Sequence, residues 1–165
     1  MIKIGLLSDT HGYMDDRILH YFEDCHEIWH AGDLGTFEVL EQLELFKPVR
    51  AVFGNIDGQK IRNAVPEIQR FMCEKVDVLI KHIGGYPGRY DRSVVQEIVT
   101  NPPKLFISGH SHILKVIPDK KHGLLHINPG AAGKSGLHKV RTLVRFQIVQ
   151  TNIRDLEVIE LEKRF

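Results

Sequence analysis

The sequence predicts an α/β fold, a four-layer α/β/β/α sandwich of two mixed sheets flanked by helices. In the first half, short apolar runs alternate with segments whose apolar residues recur at helical spacing, which is typical of parallel strands joined by helices. In the middle, two short apolar runs separated by Glu74 and Lys75 predict a hairpin. The last third alternates apolar and polar residues, as antiparallel strands do.

The first half of the chain predicts a βαβαβ order. Strands are expected at residues 3–7, 27–30 and 49–53, which are short apolar runs. Asp15 and Thr36 are expected to begin the two helices between them, because their side-chain oxygens can accept hydrogen bonds from the free N–H groups of a first helical turn. Strands that follow each other through a helix run in the same direction, so this order implies a parallel sheet.

The second half predicts one helix and a series of strands. Asp91 is expected to cap a helix that ends before Pro102, because the residue before a proline is disfavoured in helical backbone. Strands are predicted at residues 68–73, 76–80, 105–107, 115–117, 124–127, 142–149 and 153–161. These strands complete the two sheets.

Composition and charge exclude several classes of protein. The chain, residues 1–165, is expected to form one domain, and its 42% of hydrophobic residues can fill a core. A net charge of +1 gives no electrostatic basis for a nucleic acid or an anionic membrane as a partner. Cys25 and Cys73 lack the spacing of a metal knuckle, and this cysteine usage favours a cytoplasmic protein. The strand-rich last third offers an edge for a homo-oligomer.

Metal-binding side chains follow the predicted strands at the point where each strand ends. Parallel strands expose their carboxyl ends along one edge of a sheet, so residues far apart in sequence can converge there. Carboxylate, amide and imidazole groups are ligands for divalent metals. The alternative is that these residues are turn formers and helix caps, which are common after strands. The candidate ligands are Asp9, His11, Asp33, Asn55, His82, His110 and His112.

The order of these motifs resembles the calcineurin-like metallophosphoesterase superfamily. The resemblance looks closest to its small bacterial and archaeal phosphodiesterase branch, which is related to a retromer scaffold subunit, and it covers essentially the whole chain. The glycines before Asp33, Asn55 and His110 are expected to permit tight backbone turns. The motifs that carry the resemblance are Asp9-Thr10-His11, Gly32-Asp33, Gly54-Asn55-Ile56-Asp57, Lys81-His82 and Gly109-His110-Ser111-His112.

The resemblance implies a dinuclear metal-dependent phosphodiesterase acting on small aryl or nucleotide-type diesters, with a hydroxide between the metals as nucleophile. It places Asp33 between two divalent metal ions, with Mn²⁺ the first expectation and Ni²⁺, Zn²⁺, Fe²⁺ or Co²⁺ as alternatives. The alternative function is a non-catalytic interaction scaffold of the same fold. The resemblance assigns Asp9, His11 and His112 to one metal and Asn55, His82 and His110 to the other.

One position departs from the family pattern. Many relatives carry a histidine directly after the asparagine, where it can protonate the leaving oxygen, but this chain has Ile56. We therefore expect activity on aryl phosphodiesters and poor activity on alkyl monoesters. Asp57 is a further catalytic candidate, expected to orient its neighbours, with a helix cap or a surface residue as alternatives.

Other polar residues have weaker assignments. Arg89 is a candidate for substrate binding, in a glycine-rich segment at residues 84–90 whose alternative is an ordinary loop. His26 and His30 are expected at the core edge or on the surface, and His122 at a solvated hairpin tip.

Overall fold

Short apolar runs form the strands of two five-stranded sheets in a computed structural model that describes residues 1–162. In chain order, the strands are β1 Ile2–Leu7, β2 Glu27–His30, β3 Val49–Ala51, β4 Ile68–Cys73, β5 Val76–Lys81, β6 Gly85–Tyr86, β7 Arg89–Tyr90, β8 Leu105–Ile107, β9 Lys115–Asp119, β10 Leu124–Asn128, β11 Val140–Val149 and β12 Asn152–Glu162. The helices are α1 Asp16–Tyr21, α2 Phe37–Phe46, α3 Gln59–Ala64 and α4 Val95–Thr100.

Each five-stranded sheet is mixed and contains three parallel strands. The first sheet has the order β12-β11-β1-β2-β3, with β1, β2 and β3 parallel and β11 antiparallel to both of its neighbours. The second has the order β4-β5-β8-β10-β9, with β5, β8 and β10 parallel and antiparallel strands at both edges. The parallel βαβαβ order predicted for the first half is confirmed.

An apolar layer lies between the two sheets. Trp29 of β2 is fully buried in it, and the indole ring meets Phe71 of the second sheet edge-on at 5.1 Å between ring centroids. Phe146 of β11 contacts the same indole at 5.8 Å. Edge-to-face contacts of this kind add to the stabilisation that comes from removing the rings from water.

Helices cover the outer faces of both sheets. Ile18 of α1, Leu40 of α2 and Ile61 of α3 are buried in one cluster on the outer side of the first sheet. Ile98 of α4 is buried with Phe106 of β8 on the outer side of the second. The predicted four-layer arrangement is therefore confirmed, with three helices on one side and one on the other.

Helix starts agree with the sequence at α1 and α2 and differ at α4, although Thr36, at the N-cap of α2, makes no side-chain capping hydrogen bond. The Asp15 carboxylate accepts a hydrogen bond from the backbone N–H of Arg17 and caps α1. The predicted cap at Asp91 is wrong, because α4 begins at Val95. The Asp91 carboxylate instead accepts from the backbone N–H of Ser93 at 3.0 Å, which closes a turn before the helix.

Two elements were not predicted. Ile61 is the single buried side chain of α3, so this helix has no apolar periodicity in the sequence. The segment expected as a loop at residues 84–90 contains the two-stranded hairpin of β6 and β7. These strands are two residues each, which is too short for an alternating pattern.

The histidines outside the metal-ligand set divide between surface and core. His26 is exposed and its Nδ1 accepts from the backbone N–H of Lys3, as expected for the core edge. His30 is fully buried, which corrects its expected position. His122 lies in the β9–β10 turn as expected, but its side chain is only 15% exposed and its Nδ1 lies 2.8 Å from Oδ2 of Asp119.

No helix within residues 1–162 combines the length and apolar character that crossing a bilayer requires.

Acid should destabilise the fold through His126. Its Nδ1 lies 3.1 Å from the carbonyl oxygen of Phe106, and burial lowers the pKa of the ring to about 4. The unfolded chain, with a histidine pKa of about 6.5, binds the proton first as pH falls. Stability is therefore complete above about pH 6.5 and is lost as pH falls toward 4.

We expect His126→Phe to flatten this dependence. Between pH 7 and pH 4.5, the wild type should lose about 2–3 kcal/mol more of its unfolding free energy than the variant does. Urea denaturation at both pH values measures it. His20→Phe is the control, because the His20 side chain is 70% exposed. Parallel pH curves for wild type and His126→Phe would contradict the assignment.

Candidate metal centre

The predicted ligands come together where strands of both sheets end. The loop after β1 is tied to the loop after β2 by three backbone hydrogen bonds. They run from the N–H of Asp9 to the carbonyl of Gly32, from that of His11 to Asp33 and from that of Gly12 to Leu34. From the second sheet, the N–H of Gly109 donates to the carbonyl of His82. These bonds hold the strand-end loops in fixed register.

Five of the seven candidate ligands have left-handed backbone. Aspartate, asparagine and histidine are the residues besides glycine that adopt this conformation most readily, and such positions cluster at functional sites. A residue in this conformation projects its side chain away from the direction of a continuing strand. The five φ angles are 54° at Asp9, 47° at His11, 57° at Asp33, 72° at His110 and 62° at His112.

The first group of side chains that could hold an ion consists of Asp9, His11 and His112. One oxygen of Asp9, Oδ1, lies 3.1 Å from Nε2 of His112 and 3.6 Å from Nε2 of His11. The other oxygen, Oδ2, accepts from the Ser8 hydroxyl at 2.6 Å and from the backbone N–H of His110 at 3.1 Å. The carboxylate is thus held by one oxygen and aims the other into the group.

The second group consists of Asp33, His82 and His110. Asp33 repeats the arrangement of Asp9, because its Oδ1 accepts from the backbone N–H of Ile56 at 3.1 Å. Its Oδ2 lies 3.2 Å from Nε2 of His82 and 3.4 Å from Nε2 of His11, so it reaches both groups. The side-chain oxygen of Asn55 lies 3.1 Å from Nδ1 of His110 and joins this group from the loop after β3.

Hydrogen bonding fixes which nitrogen of His82 faces the cluster. Its Nδ1 lies 2.7 Å from the carbonyl oxygen of Ala31, which can only accept, so Nδ1 carries the proton and donates. Nε2 then has a free lone pair toward Asp33. Metal-binding histidines are oriented in this way by a carbonyl behind the ring.

Several buried atoms of the cluster have no hydrogen-bond partner among residues 1–162. They include Oδ1 of Asp9, Nε2 of His11 and Nε2 of His82. Buried polar atoms without partners are destabilising, and a divalent cation would satisfy all three. The donor set of oxygens and imidazole nitrogens, with no thiolate, fits such a cation.

The charges of the cluster shift several pKa values. Burial opposes ionisation of Asp9, yet the neighbouring His11 and His112 rings hold its pKa well below the usual range. The pKa of Asp33 is likewise lowered, against the effect of burial, by His11 and His82. The Asp33 carboxylate, followed by that of Asp9, raises the pKa of His11 to about 9. Two buried carboxylates are therefore ionised here and attract positive charge.

At the strand ends, glycine is required more by the close approach of neighbouring atoms than by the geometry of the turn. Gly32 has φ 104°, as the expected tight turn requires. Gly54 and Gly109 do not have left-handed backbone, although tight turns begin at both, where the N–H of Asp57 donates to the carbonyl of Gly54 and that of Ser111 to the carbonyl of Gly109. A Cβ at Gly54 would overlap the Asp33 carboxylate, and one at Gly109 would overlap the Ser8 hydroxyl.

A buried hydrogen-bond network, which the sequence did not predict, supports the first group of candidate ligands. The Thr10 hydroxyl donates to the carbonyl of Leu34 at 2.9 Å and lies 3.0 Å from Nε2 of His30. The other ring nitrogen of His30, Nδ1, accepts from the N–H of Gly32. Burial lowers the pKa of His30 to about 4, which keeps the ring neutral. The position of Ser8 and Thr10, flanking Asp9 after an apolar run, is the available sequence signal.

Asp57 lies beneath the loops that carry Asp33 and Asn55. It is buried, and Gly58 rather than Asp57 occupies the N-cap position of α3, so the surface and helix-cap alternatives are wrong. Its carboxylate accepts from the backbone N–H groups of Leu34, Gly35 and Gly54, at 3.2, 2.9 and 2.8 Å.

Two clefts adjoin the second group. The His82 cleft has a volume of about 190 Å³ and is lined by Asn55, Arg62 and His82, among others. The His110 cleft has a volume of about 290 Å³, and its walls include Tyr86, Arg89, Lys115 and His110. Arg89 is exposed on the β6–β7 hairpin, so the predicted substrate contact lies at the rim of a cavity beside a candidate ligand.

Comparison with known proteins gives a consistent family. The calcineurin-like phosphoesterase superfamily domain matches residues 2–151. A probable metallophosphoesterase of Methanothermobacter thermautotrophicus is 30% identical over 136 residues, covering 78% of this chain and 76% of that protein. A probable metallophosphoesterase of Mycoplasma pneumoniae is 31% identical over 167 residues, covering 94% of this chain and 96% of that protein.

Solved structures share the fold at lower sequence identity. A structure described as that of a novel archaeal phosphodiesterase has a TM-score of 0.75 at 22% identity, covering 97% of this chain and 100% of that one. Vps29 from Entamoeba histolytica, crystallised with zinc, has a TM-score of 0.76 at 15% identity, covering 99% of this chain and 100% of that one. At these identities the similarity concerns the fold alone.

Gly54→Ala should impair metal binding, because a Cβ at Gly54 would overlap both the carboxylate and the backbone nitrogen of Asp33. The added methyl group would displace the Asp33 carboxylate, so we expect Mn²⁺ affinity to fall about 10- to 100-fold, as when the support of a ligand is disturbed. Isothermal titration calorimetry measures it. Gly58→Ala is the matched control, because a Cβ at Gly58 meets no atom within 4 Å. Equal Mn²⁺ affinity in the two variants would show that Asp33 is not a ligand.

Proposed function

Because the chain belongs to the calcineurin-like phosphoesterase superfamily, we propose that it is a dinuclear metal-dependent phosphodiesterase that hydrolyses small aryl or nucleotide-type diesters. The observation that carries the proposal is the position of Asp33. Its Oδ2 atom lies within 3.4 Å of Nε2 of His11 in one ligand group and 3.2 Å of Nε2 of His82 in the other. A single oxygen between two groups is the arrangement that a pair of ions requires.

We assign Asp33 to both ions, with Mn²⁺ the first expectation and Ni²⁺, Zn²⁺, Fe²⁺ or Co²⁺ as alternatives. When bound, two divalent cations supply Lewis acidity toward phosphoryl oxygens and lower the pKa of water. In this assignment, Asp9, His11 and His112 serve the first ion, and Asn55, His82 and His110 serve the second.

The contribution of the protein is to hold these side chains in place before substrate arrives. Asp9 is fixed through Oδ2 by Ser8 and the His110 backbone, and Asp33 through Oδ1 by the Ile56 backbone. Donors that are already oriented need no rearrangement during the reaction, which is the main source of electrostatic catalysis.

We propose a positioning role for Asp57. Its carboxylate joins the backbone of the loop after β2 to that of the loop after β3, through Leu34, Gly35 and Gly54. Both carboxylate oxygens accept from these backbone amides, and the side chain is buried, so the carboxylate holds the two loops rather than contacting a substrate. The distance between Asp33 and Asn55 is thereby constrained.

We infer the preferred kind of leaving group from the side chain of Ile56. Its side chain is 46% exposed next to Asn55, and a hydrocarbon cannot protonate a departing oxygen. Substrates whose departing oxygen is stable as an anion, such as a phenolate, should therefore react fastest. This favours aryl diesters over alkyl monoesters.

The alternative function, a non-catalytic scaffold, is supported by the shared fold, since Vps29 structures are similar to this chain throughout. The ligand groups argue for the enzyme. Buried polar atoms such as Oδ1 of Asp9 and Nε2 of His82 are costly when unpaired, and a scaffold that binds no ion has no use for them.

Hydrolysis of bis(p-nitrophenyl) phosphate and p-nitrophenyl phosphate tests the proposal. After addition of Mn²⁺ to metal-free protein, we expect turnover that favours the diester and that falls more than about 100-fold in Asp33→Ala, because a ligand shared by both ions is lost. Asp24→Ala is the control, since Asp24 is an exposed aspartate remote from both ligand groups. Metal bound in stoichiometric amount without turnover on either ester would favour the scaffold.

Ile56→His should extend activity to poorer leaving groups. A histidine next to Asn55 can donate a proton, so we expect the rate on an alkyl phosphodiester to rise about 10-fold or more. The rate on bis(p-nitrophenyl) phosphate should change little, because its leaving group needs no proton. Ile56→Phe, which adds a ring without a titratable group, is the matched control. Equal gains in both variants would show that size rather than proton donation is responsible.

A further inference from the structure

The His110 cleft contains an arrangement that the ligand groups do not use. Tyr86 is half-buried in its wall, and Nζ of Lys115 lies 4.2 Å from the centroid of the Tyr86 ring. Arg89, from the paired strand of the same hairpin, lines the cleft as well. A tyrosine ring with an ammonium group beside it and a guanidinium in the same cleft can bind a flat ring and an anionic group together.

The two cations are available to a ligand. Within residues 1–162, neither Arg89 nor Lys115 forms an ion pair with a carboxylate. The one carboxylate in the cleft wall, that of Asp91, accepts from both the backbone N–H and the hydroxyl of Ser93. Its pKa is lowered first by Ser93 and further by the charge of Lys81. The Asp91 carboxylate offsets one of these two charges, and Arg89 and Lys115 together still leave the cleft wall with a net positive charge.

A hydrogen bond joins the two elements that carry these three side chains, the β6–β7 hairpin and β9. Tyr90, at the end of the hairpin that carries Tyr86 and Arg89, donates through its hydroxyl to Oδ2 of Asp119 at 2.6 Å. Asp119 is the last residue of β9, and Lys115 is the first. The hydrogen bond thus joins the hairpin to the strand that supplies the ammonium group. A site formed in advance avoids the entropic cost of ordering its parts on binding.

The floor of the cleft is continuous with the metal centre. The Asn128 side-chain amide donates to the carbonyl of Gly109 at 3.0 Å and to the hydroxyl of Ser111 at 3.1 Å. Asn128 therefore supports the loop that carries His110 at the residues immediately before and after it. A phosphoryl group held at the second ligand group would place one of its substituents over this floor.

We propose that the His110 cleft is a subsite for a substrate substituent that carries a planar ring and a second anionic group, as in a nucleoside diester with a further phosphate. The inference rests on the proposed function for the position of the scissile phosphorus. The ring stacks on Tyr86, and the distal anion pairs with Lys115 and Arg89. A volume of about 290 Å³ suits one nucleoside rather than a polymer.

Calorimetric binding of two ligands that differ by one phosphate tests the subsite. We expect thymidine 3′,5′-bisphosphate to bind the full chain, without added metal, about 10-fold more tightly than thymidine 3′-phosphate, since charge-assisted pairing of this kind is strong. Lys115→Met and Arg89→Met should each reduce that preference severalfold, while Tyr86→Ala should weaken both ligands. Lys121→Met, at an exposed lysine of the β9–β10 turn, is the control.

Failure of the subsite and failure of the proposed function give different results. Equal affinities for the two thymidine phosphates, or a preference that survives Lys115→Met, overturn the subsite whatever the catalytic activity. Absence of diester turnover with every divalent metal overturns the proposed function, and the calorimetric comparison still decides the subsite. A 5′-phosphate that raises kcat/KM for thymidine 3′-(p-nitrophenyl phosphate), with the gain lost in Lys115→Met, supports both.

Discussion

The structure depends on two buried carboxylates that are each restrained by one oxygen only. Ser8 and the His110 backbone hold one oxygen of Asp9, and the Ile56 backbone holds one oxygen of Asp33. The remaining oxygens point at imidazole nitrogens rather than at hydrogen-bond donors of the fold. Negative charge buried in this way has to be met by positive charge in the same place. The loops, the neutral His30 and the ordering of the two sheets all serve to keep these oxygens where an ion can satisfy them.

The position of the site was predictable because it follows from topology. Apolar runs that end in Asp9, Asp33 or His110 can be recognised without coordinates, and parallel strands bring their ends to one edge. The two ligand groups found in the structure contain residues from both sheets. The convergence of two sheets at one centre required their face-to-face packing, for which Trp29 between Phe71 and Phe146 is the physical cause.

What could not be predicted is local and depends on atoms far apart in sequence. Gly54 is small because the Asp33 carboxylate occupies the space beside it, and no local signal distinguishes that from a turn. The role of His30 depends on Thr10, which lies 20 residues away in sequence and reaches it only in the folded chain. α3 has a single buried apolar residue, so it lacks a periodic pattern, and its start is determined by the loop that Asp57 holds. These misses concern the support of the site rather than its ligands.

The left-handed backbone at five candidate ligand positions links the candidate metal centre to the stability of the fold. Each such residue opposes folding by on the order of 1 kcal/mol, so the ligand loops are a region of stored strain. An ion that binds only the folded chain offsets this strain by mass action. If the centre binds metal as proposed, the concentration of free metal in the cell governs the lifetime of the protein as well as its rate. A shortage would then act first as a loss of folded molecules to proteolysis, and the amount of enzyme would follow metal supply without any dedicated regulator.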